Sequence, residues 1–204
     1  MRIVVTGGPS AGKTTLLEIL RLQFGDGIGV APEAASILFR GGIPRPVTFE
    51  DSIHLQRSIY SLQRELELQA LERRQGTAPV FCDRGSLDGC AYWTGSAKEF
   101  CFAMGTTLEK ELDRYAAVIH LQTASEFCGY TNTLVRTESP AEAARLDQRI
   151  GEIWSLHPNY MFVGNTNDLG GTFVDKLNTA LAGLRPYLPT IATLGSEFQN
   201  AQAN

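Results

Sequence analysis

A chain of 204 residues with 43 % hydrophobic and 20 % charged side chains is long enough to bury one full core without disulfides or a structural metal. Its 18 Lys and Arg against 22 Asp and Glu give a net charge of −4, which argues against a role coating nucleic acid and offers no polybasic patch for a lipid surface. No apolar run approaches a membrane span and the N-terminal apolar stretch is too short for an export signal, so a cytoplasmic protein is expected.

Residues 2–6 form a short β-branched run, the first predicted strand, and the glycine-rich stretch 7–12 breaks it. Residues 13–24 place Leu16, Leu17, Leu20 and Phe24 at helical spacing, so strand, turn and helix in succession begin a βαβ unit. Residues 27–31 read as a second strand, 34–39 as a helix, and Gly41, Gly42, Pro44 and Pro46 as a loop. Over 48–74 an apolar stripe of Ile53, Ile59, Leu62, Leu66 and Leu71 predicts a long helix, ended by Gly76 and Pro79. A compact strand over 79–82 follows, then helices over 86–93 and 106–114 and an apolar strand over 116–121. A polar helix runs from Ser139 to about residue 156, with Glu142 as its capping-box partner. Residues 160–163 make the last strand and 172–184 the last helix. Pro186 and Pro189 then close a domain placed at 1–187, leaving 188–204 as a C-terminal tail expected to be mobile. Cys82, Cys90, Cys101 and Cys128 match no zinc spacing and read as free thiols. His54, His120 and His157 are too scattered to suggest a metal site.

Strands that alternate with helices, without alternating polarity, predict an α/β sandwich: a parallel sheet with helices on both faces. Ligands of such sheets bind beyond the carboxyl ends of the strands. Gly7, Glu33, Asp83, Gln122 and Asn165 each follow a predicted strand and should gather along one edge.

The stretch Gly7-Gly8-Pro9-Ser10-Ala11-Gly12-Lys13-Thr14 satisfies GxxxxGK(S/T) between a strand and a helix. Its glycines let the backbone close around an anion with N–H groups inward, and the helix adds its positive end. These residues and Thr15 are the candidate nucleotide-phosphate site. Lys13 would bridge the terminal phosphates, and Thr14 would offer its hydroxyl to Mg²⁺. Asp83, at the end of the strand in Val80-Phe81-Cys82-Asp83-Arg84, suits a carboxylate that holds Mg²⁺ through water; the alternative is a helix cap shared with Ser86. Arg84 either reaches phosphate and substrate or pairs with a surface acid. Glu33, in Ala31-Pro32-Glu33-Ala34, would sit across a cleft from the loop and accept a hydroxyl proton, unless it is simply a first-turn glutamate favoured by the helix dipole. Arg136, Arg145 and Arg149 lie on or before the Ser139 helix, the last two sharing one face. An arm carrying them would close over a moving phosphoryl group, giving an arginine-bearing lid at about 126–157; a solvated face with Glu142 and Asp147 is the alternative for each.

With those residues the chain resembles the NadR/Ttd14-type AAA domain family of P-loop NTPases, related to nicotinamide-riboside kinase. The likeness rests on Val4 to Thr15, Pro32-Glu33-Ala34, the strand ending Asp83-Arg84-Gly85, and the segment from Arg136 to Arg149, and spans residue 1 to about 184. It implies a nucleoside-kinase-like fold with a lid and Mg²⁺-dependent ATP or GTP binding. Members include a small-molecule kinase and GTP- and phosphoinositide-binding proteins. The expected function is therefore γ-phosphoryl transfer to a small nucleoside-like acceptor, with Lys13, Glu33, Asp83, Arg145 and Arg149 catalytic and Glu33, Arg84 and Arg136 on the acceptor. The alternative is a nucleotide-gated binding protein or slow NTPase. Asn165-Thr166-Asn167-Asp168 stands where guanine-specific GTPases carry Asn-Lys-x-Asp, but its lysine is replaced by Thr166. Asp83-Arg84-Gly85-Ser86 stands in place of the GTPase Asp-x-x-Gly, which favours a kinase-like architecture. Arg40 and Arg45, near Glu33, are a lead toward an acidic acceptor.

Overall fold

Short apolar runs separated by helices assemble into one sheet in this computed structural model, which describes residues 1–124, 139–165 and 171–189. The strands are β1 (Arg2–Thr6), β2 (Gly29–Ala31), β3 (Val80–Asp83), β4 (Ala117–Leu121) and β5 (Tyr160–Val163). Every pairing is parallel and the order is β2-β3-β1-β4-β5. The register sets Val5 beside Asp83 and Thr6 beside His120, so the carboxyl ends of the central strands finish level. β1 lies at the centre, and the chain crosses from one side of it to the other between β3 and β4.

Alternating strand residues feed two cores. Ile3, Val5, Phe81, Ile119 and Leu121 pack against α1 (Lys13–Phe24) and α7 (Phe173–Leu184). Val4, Cys82 and Val118 face the other way, toward Tyr60 of α3 (Phe49–Arg73), Phe100 of α4 (Ala97–Ala103), and Ile150 and Trp154 of α6 (Pro140–Trp154). Helices thus cover both faces of the central strands, in a three-layer α/β sandwich of the P-loop type. α2 (Ala34–Arg40) and α5 (Leu108–Leu112) complete the helices of the described residues.

Several expectations change. The second strand is shorter than 27–31, because a 3₁₀ turn at Gly25–Gly27 precedes it. The helix expected over 86–93 is a 3₁₀ turn, Asp88–Tyr92, and the one over 106–114 shrinks to α5. α4 was not anticipated, although Ser96 and Glu99 form a reciprocal capping box at its start. The fully buried residues of α3 are Leu55, Gln56, Tyr60, Gln63 and Glu67, not the aliphatic stripe. Two of the three polar side chains there have work inside: Glu67 accepts from Arg114 and Tyr115, and Gln63 bridges Ala34 and Arg84. α6 is tied down along the sandwich. Ala143, Asp147, Ile150 and Trp154 are buried, and Arg149 donates to the carbonyls of Cys90 and Trp93. The rest of the expected lid, 126–138 with Arg136, lies outside the described residues, as do 190–204 of the expected tail and Cys128.

Candidate functional site

The loop between β1 and α1 is built on left-handed backbone. Gly7 and Gly12 have φ of 133° and 97°, and Ser10 shares the region at 59°. A Cβ on Gly7 would meet the Leu121 carbonyl oxygen at 2.0 Å, so β4 presses directly on the loop. Unlike α3 to α7, α1 has no side chain capping its first turn and no acidic residue there. Its leading N–H groups are left for an anion. Lys13 folds back into the loop, its Nζ donating to Gly7 O at 2.7 Å and Gly8 O at 2.8 Å. Burial brings its ammonium down to about 8; Arg84 acts in the same direction, and Asp83, Glu33 and Asp88 oppose. An ammonium has three donors, so one remains for a phosphate oxygen.

Across the loop stands a carboxylate–arginine network. Arg84, at the end of β3 with φ of 70°, donates from Nε to Glu33 Oε1 at 2.5 Å. Its Nη1 reaches Asp88 Oδ2 at 3.0 Å and Gly7 O at 3.3 Å. Burial works against the guanidinium charge, and Glu33, Tyr92 and Asp88 outweigh it. Burial alone would raise the Glu33 carboxyl, but Arg84 and Lys13, with the Ser36 hydroxyl donating to it, hold it at about 2. Asp88 is saturated. Thr6 and Arg84 donate to one oxygen, and the Gly85 N–H and the Trp154 indole N–H to the other.

Asp83 is different. Its Oδ1 is buried without a hydrogen-bond partner. Burial, with Glu33 and Asp88, lifts its carboxyl to about 6 against Lys13 and Arg84. A buried carboxylate beside a phosphate loop with an oxygen to spare suits a hydrated divalent cation, with the Thr14 hydroxyl on the same cleft as a second oxygen donor.

These groups share one cleft of about 1030 Å³, lined at its loop end by Pro9, Lys13, Thr14, Glu33, Asp83 and Arg84. Its far end carries Phe39, Arg40, Arg45, Leu55, Ile59 and Tyr92, with the Arg45 guanidinium 4.7 Å from the Phe39 ring centre. Gln56 lines it too. Gln56 is 6 % exposed and makes no hydrogen bond to any described residue. Of the expected site residues, Lys13, Thr14, Glu33, Asp83 and Arg84 are brought together. Arg145 and Arg149 are not among the residues lining the cleft, and Arg136 is not described. Asn165 donates to Gln122 Oε1 and Thr123 O and accepts from Lys176; residues 166–168 lie outside the described residues.

A family model for an AAA domain matches residues 2–168. The chain belongs to this family of P-loop NTPase domains. Among solved structures the AAA domain is similar to thymidylate kinase from Candida albicans, with TM-score 0.60 and 16 % identity over 90 % of this chain and 89 % of that one. Thymidylate kinase from Ehrlichia chaffeensis aligns with TM-score 0.59 and 14 % identity over 91 % and 98 %. Deoxyadenosine kinase from M. mycoides with bound dATP aligns with TM-score 0.61 and 14 % identity over 91 % and 99 %. At these identities the likeness establishes the fold. No curated protein matches the chain.

Sequence reasoning missed Asp88, Gln56, Asp147 and Lys176. Asp88 had a signal, four residues after Arg84 and so within reach of the same turn. The others sit in helices whose polar residues read as solvent-facing.

Proposed function

We propose that the chain is a kinase that transfers the γ-phosphoryl group of Mg·ATP or Mg·GTP to a hydroxyl of a small nucleoside-like acceptor. One observation carries the reading: the cleft of about 1030 Å³ begins at the phosphate loop, and Glu33, Asp83 and Arg84 line it at that junction. A site for hydrolysis alone needs room for water, whereas this volume suits a metabolite.

The loop N–H groups and Lys13 hold the donor phosphates. Thr14 and Asp83 would hold Mg²⁺, which when bound neutralises charge on the phosphates. Glu33 takes the acceptor hydroxyl as a hydrogen-bond acceptor and aims it at phosphorus. With its carboxyl held at about 2, Glu33 is a weak base that receives the proton late, once the attacking oxygen has begun to bond. Arg84 keeps Glu33 ionised and in place. The unpartnered Gln56 amide offers a donor and an acceptor in one plane, beside Phe39 and Tyr92, which suits a planar heterocycle with an amide-like edge. Catalysis here is mostly positioning and electrostatics.

Phosphorus NMR tests it, with Mg·ATP and Mg·GTP as donors and pooled nucleosides, nicotinamide riboside, sugars and inositol phosphates as acceptors. A new phosphomonoester signal, absent with Lys13→Ala, is expected. Nucleotide binding without a new ester across those pools would favour a nucleotide-gated binding protein or slow NTPase instead.

A further inference from the structure

The first peptide of the phosphate loop is gripped at both ends. Gly7 C=O and Gly8 N–H belong to one trans peptide unit, so they point in opposite directions. The carbonyl receives Lys13 Nζ at 2.7 Å and Arg84 Nη1 at 3.3 Å. The N–H donates to Asp147 Oδ1 at 2.6 Å, on the opposite side of the loop from the cleft network. Asp147 comes from α6, 7 % exposed, and its carboxylate is held by His120 Nε2 at 3.0 Å. His120 Nδ1 is in turn paired with the Tyr160 hydroxyl at 2.7 Å. Thr123 Oγ1 donates to Pro9 O and lies 3.4 Å from the same Asp147 oxygen. The Lys176 ammonium of α7 also interacts with it electrostatically.

A peptide between two glycines is the easiest in a chain to turn over, because neither neighbour has a Cβ to restrict it. Turned over, Gly7 C=O would face the Asp147 carboxylate, a repulsion, and Lys13 would lose one of its two loop acceptors. We propose that Asp147, oriented by His120, is a positioning residue that fixes the Gly7–Gly8 peptide and through it the place of the Lys13 ammonium. Asp147 touches neither donor nor acceptor. It acts on the phosphate site through the backbone, and it gives α6 a role there that does not depend on an arginine. The inference rests on the reading of residues 7–15 as a phosphate site, but its geometry is testable without any nucleotide.

The experiment compares wild type, Asp147→Asn and Asp147→Ala. Glycine labelled with ¹³C at the carbonyl and ¹⁵N at the amide gives a carbonyl-to-amide NMR spectrum showing only the Gly–Gly peptides, of which the sequence has Gly7-Gly8, Gly41-Gly42 and Gly170-Gly171. The Gly8 amide proton should lie well downfield in wild type and move upfield in Asp147→Ala, while Gly41-Gly42 stays put. Affinity for Mg·ATP or Mg·GTP should fall about tenfold in Asp147→Ala, the scale of a lost hydrogen bond to a charged group, and return to within about threefold in Asp147→Asn, which keeps an oxygen acceptor. A Gly8 signal that ignores both substitutions overturns the proposal. So does a shifted Gly8 signal with wild-type affinity in Asp147→Ala. Should Asp147→Ala fail to fold, Asp147→Asn with affinity reduced as far as Lys13→Ala overturns it. Wild type that binds no nucleotide would refute the proposed function, and the Gly8 signal would still decide what Asp147 does to the peptide.

Discussion

Replacing Glu33 by Gln tests the ion pair at the centre of the cleft. A glutamate ordinarily titrates near 4.5, and here burial is outweighed by Arg84 and Lys13, which hold Glu33 at about 2. The folded state therefore favours the ionised carboxylate, and each pH unit between those two values is worth about 1.4 kcal/mol. For a depressed carboxyl the stabilisation is complete above the unfolded value and is lost as the pH falls through the folded one. The window is thus from about 4.5 down to about 2. Glu33→Gln has nothing to titrate there. The stability of wild type minus that of the variant should stay level between about pH 7 and 5 and shrink by about 2 kcal/mol on reaching about pH 3. Urea unfolding of both proteins at each pH reads this directly. A difference that does not change with pH would refute the reasoning, because it would mean that Arg84 does not hold Glu33 ionised. The same variant should keep nucleotide affinity and lose transfer; equal loss of both would move Glu33 into the nucleotide or metal site.

Lys13→Ala should abolish the rise in Tm on adding Mg·ATP or Mg·GTP, and wild-type affinity should decline above about pH 8, where the free Lys13 ammonium loses its proton. Calorimetry across that range checks it. Asp83→Asn should have opposite effects on stability and function. With its folded value raised to about 6, ionised Asp83 costs the metal-free protein about 2 to 3 kcal/mol once the pH exceeds that value, so the variant should be more stable there. The Mg²⁺ dependence of nucleotide affinity should disappear with it, as a Mg²⁺ titration would show. Trp154→Phe should cost about 2 kcal/mol in urea unfolding at neutral pH. It leaves Asp88 Oδ1 without its indole donor and also removes part of a fully buried ring system, so the loss should be at least that large.

The parts of this molecule legible in the sequence are those fixed by local pattern. Residues 2–6 and 117–121 are apolar on both sides because helices cover both faces, and the loop has glycine at Gly7 and Gly12, where φ is positive, with the Leu121 carbonyl pressing on Gly7. Glu33, Asp83 and Arg84 were legible because a parallel sheet delivers the ends of its strands to one edge. What stayed hidden depends on partners far along the chain. Glu67 looks like a solvated helix residue until Arg114 and Tyr115 arrive, and Asp147 reads as a surface partner for arginine until Gly8 and His120 are placed against it. Arg149 has a partner of the same distant kind: its Nη2 donates to the carbonyls of Cys90 and Trp93, which spacing along α6 does not reveal.

Lys176 has a consequence for the order in which the chain becomes competent. Its buried ammonium donates to Ala11 O at 3.1 Å, to Gln122 O, and to Asn165 Oδ1 at 3.0 Å, across sequence separations of 165, 54 and 11 residues. The loop at residues 7–13 is made 165 residues before one of the groups that locks it. A nascent chain can therefore pair its central strands well before residue 11 is held from behind. The backing of the loop is completed only when α7 docks and one ammonium fastens together the loops that follow β1, β4 and β5.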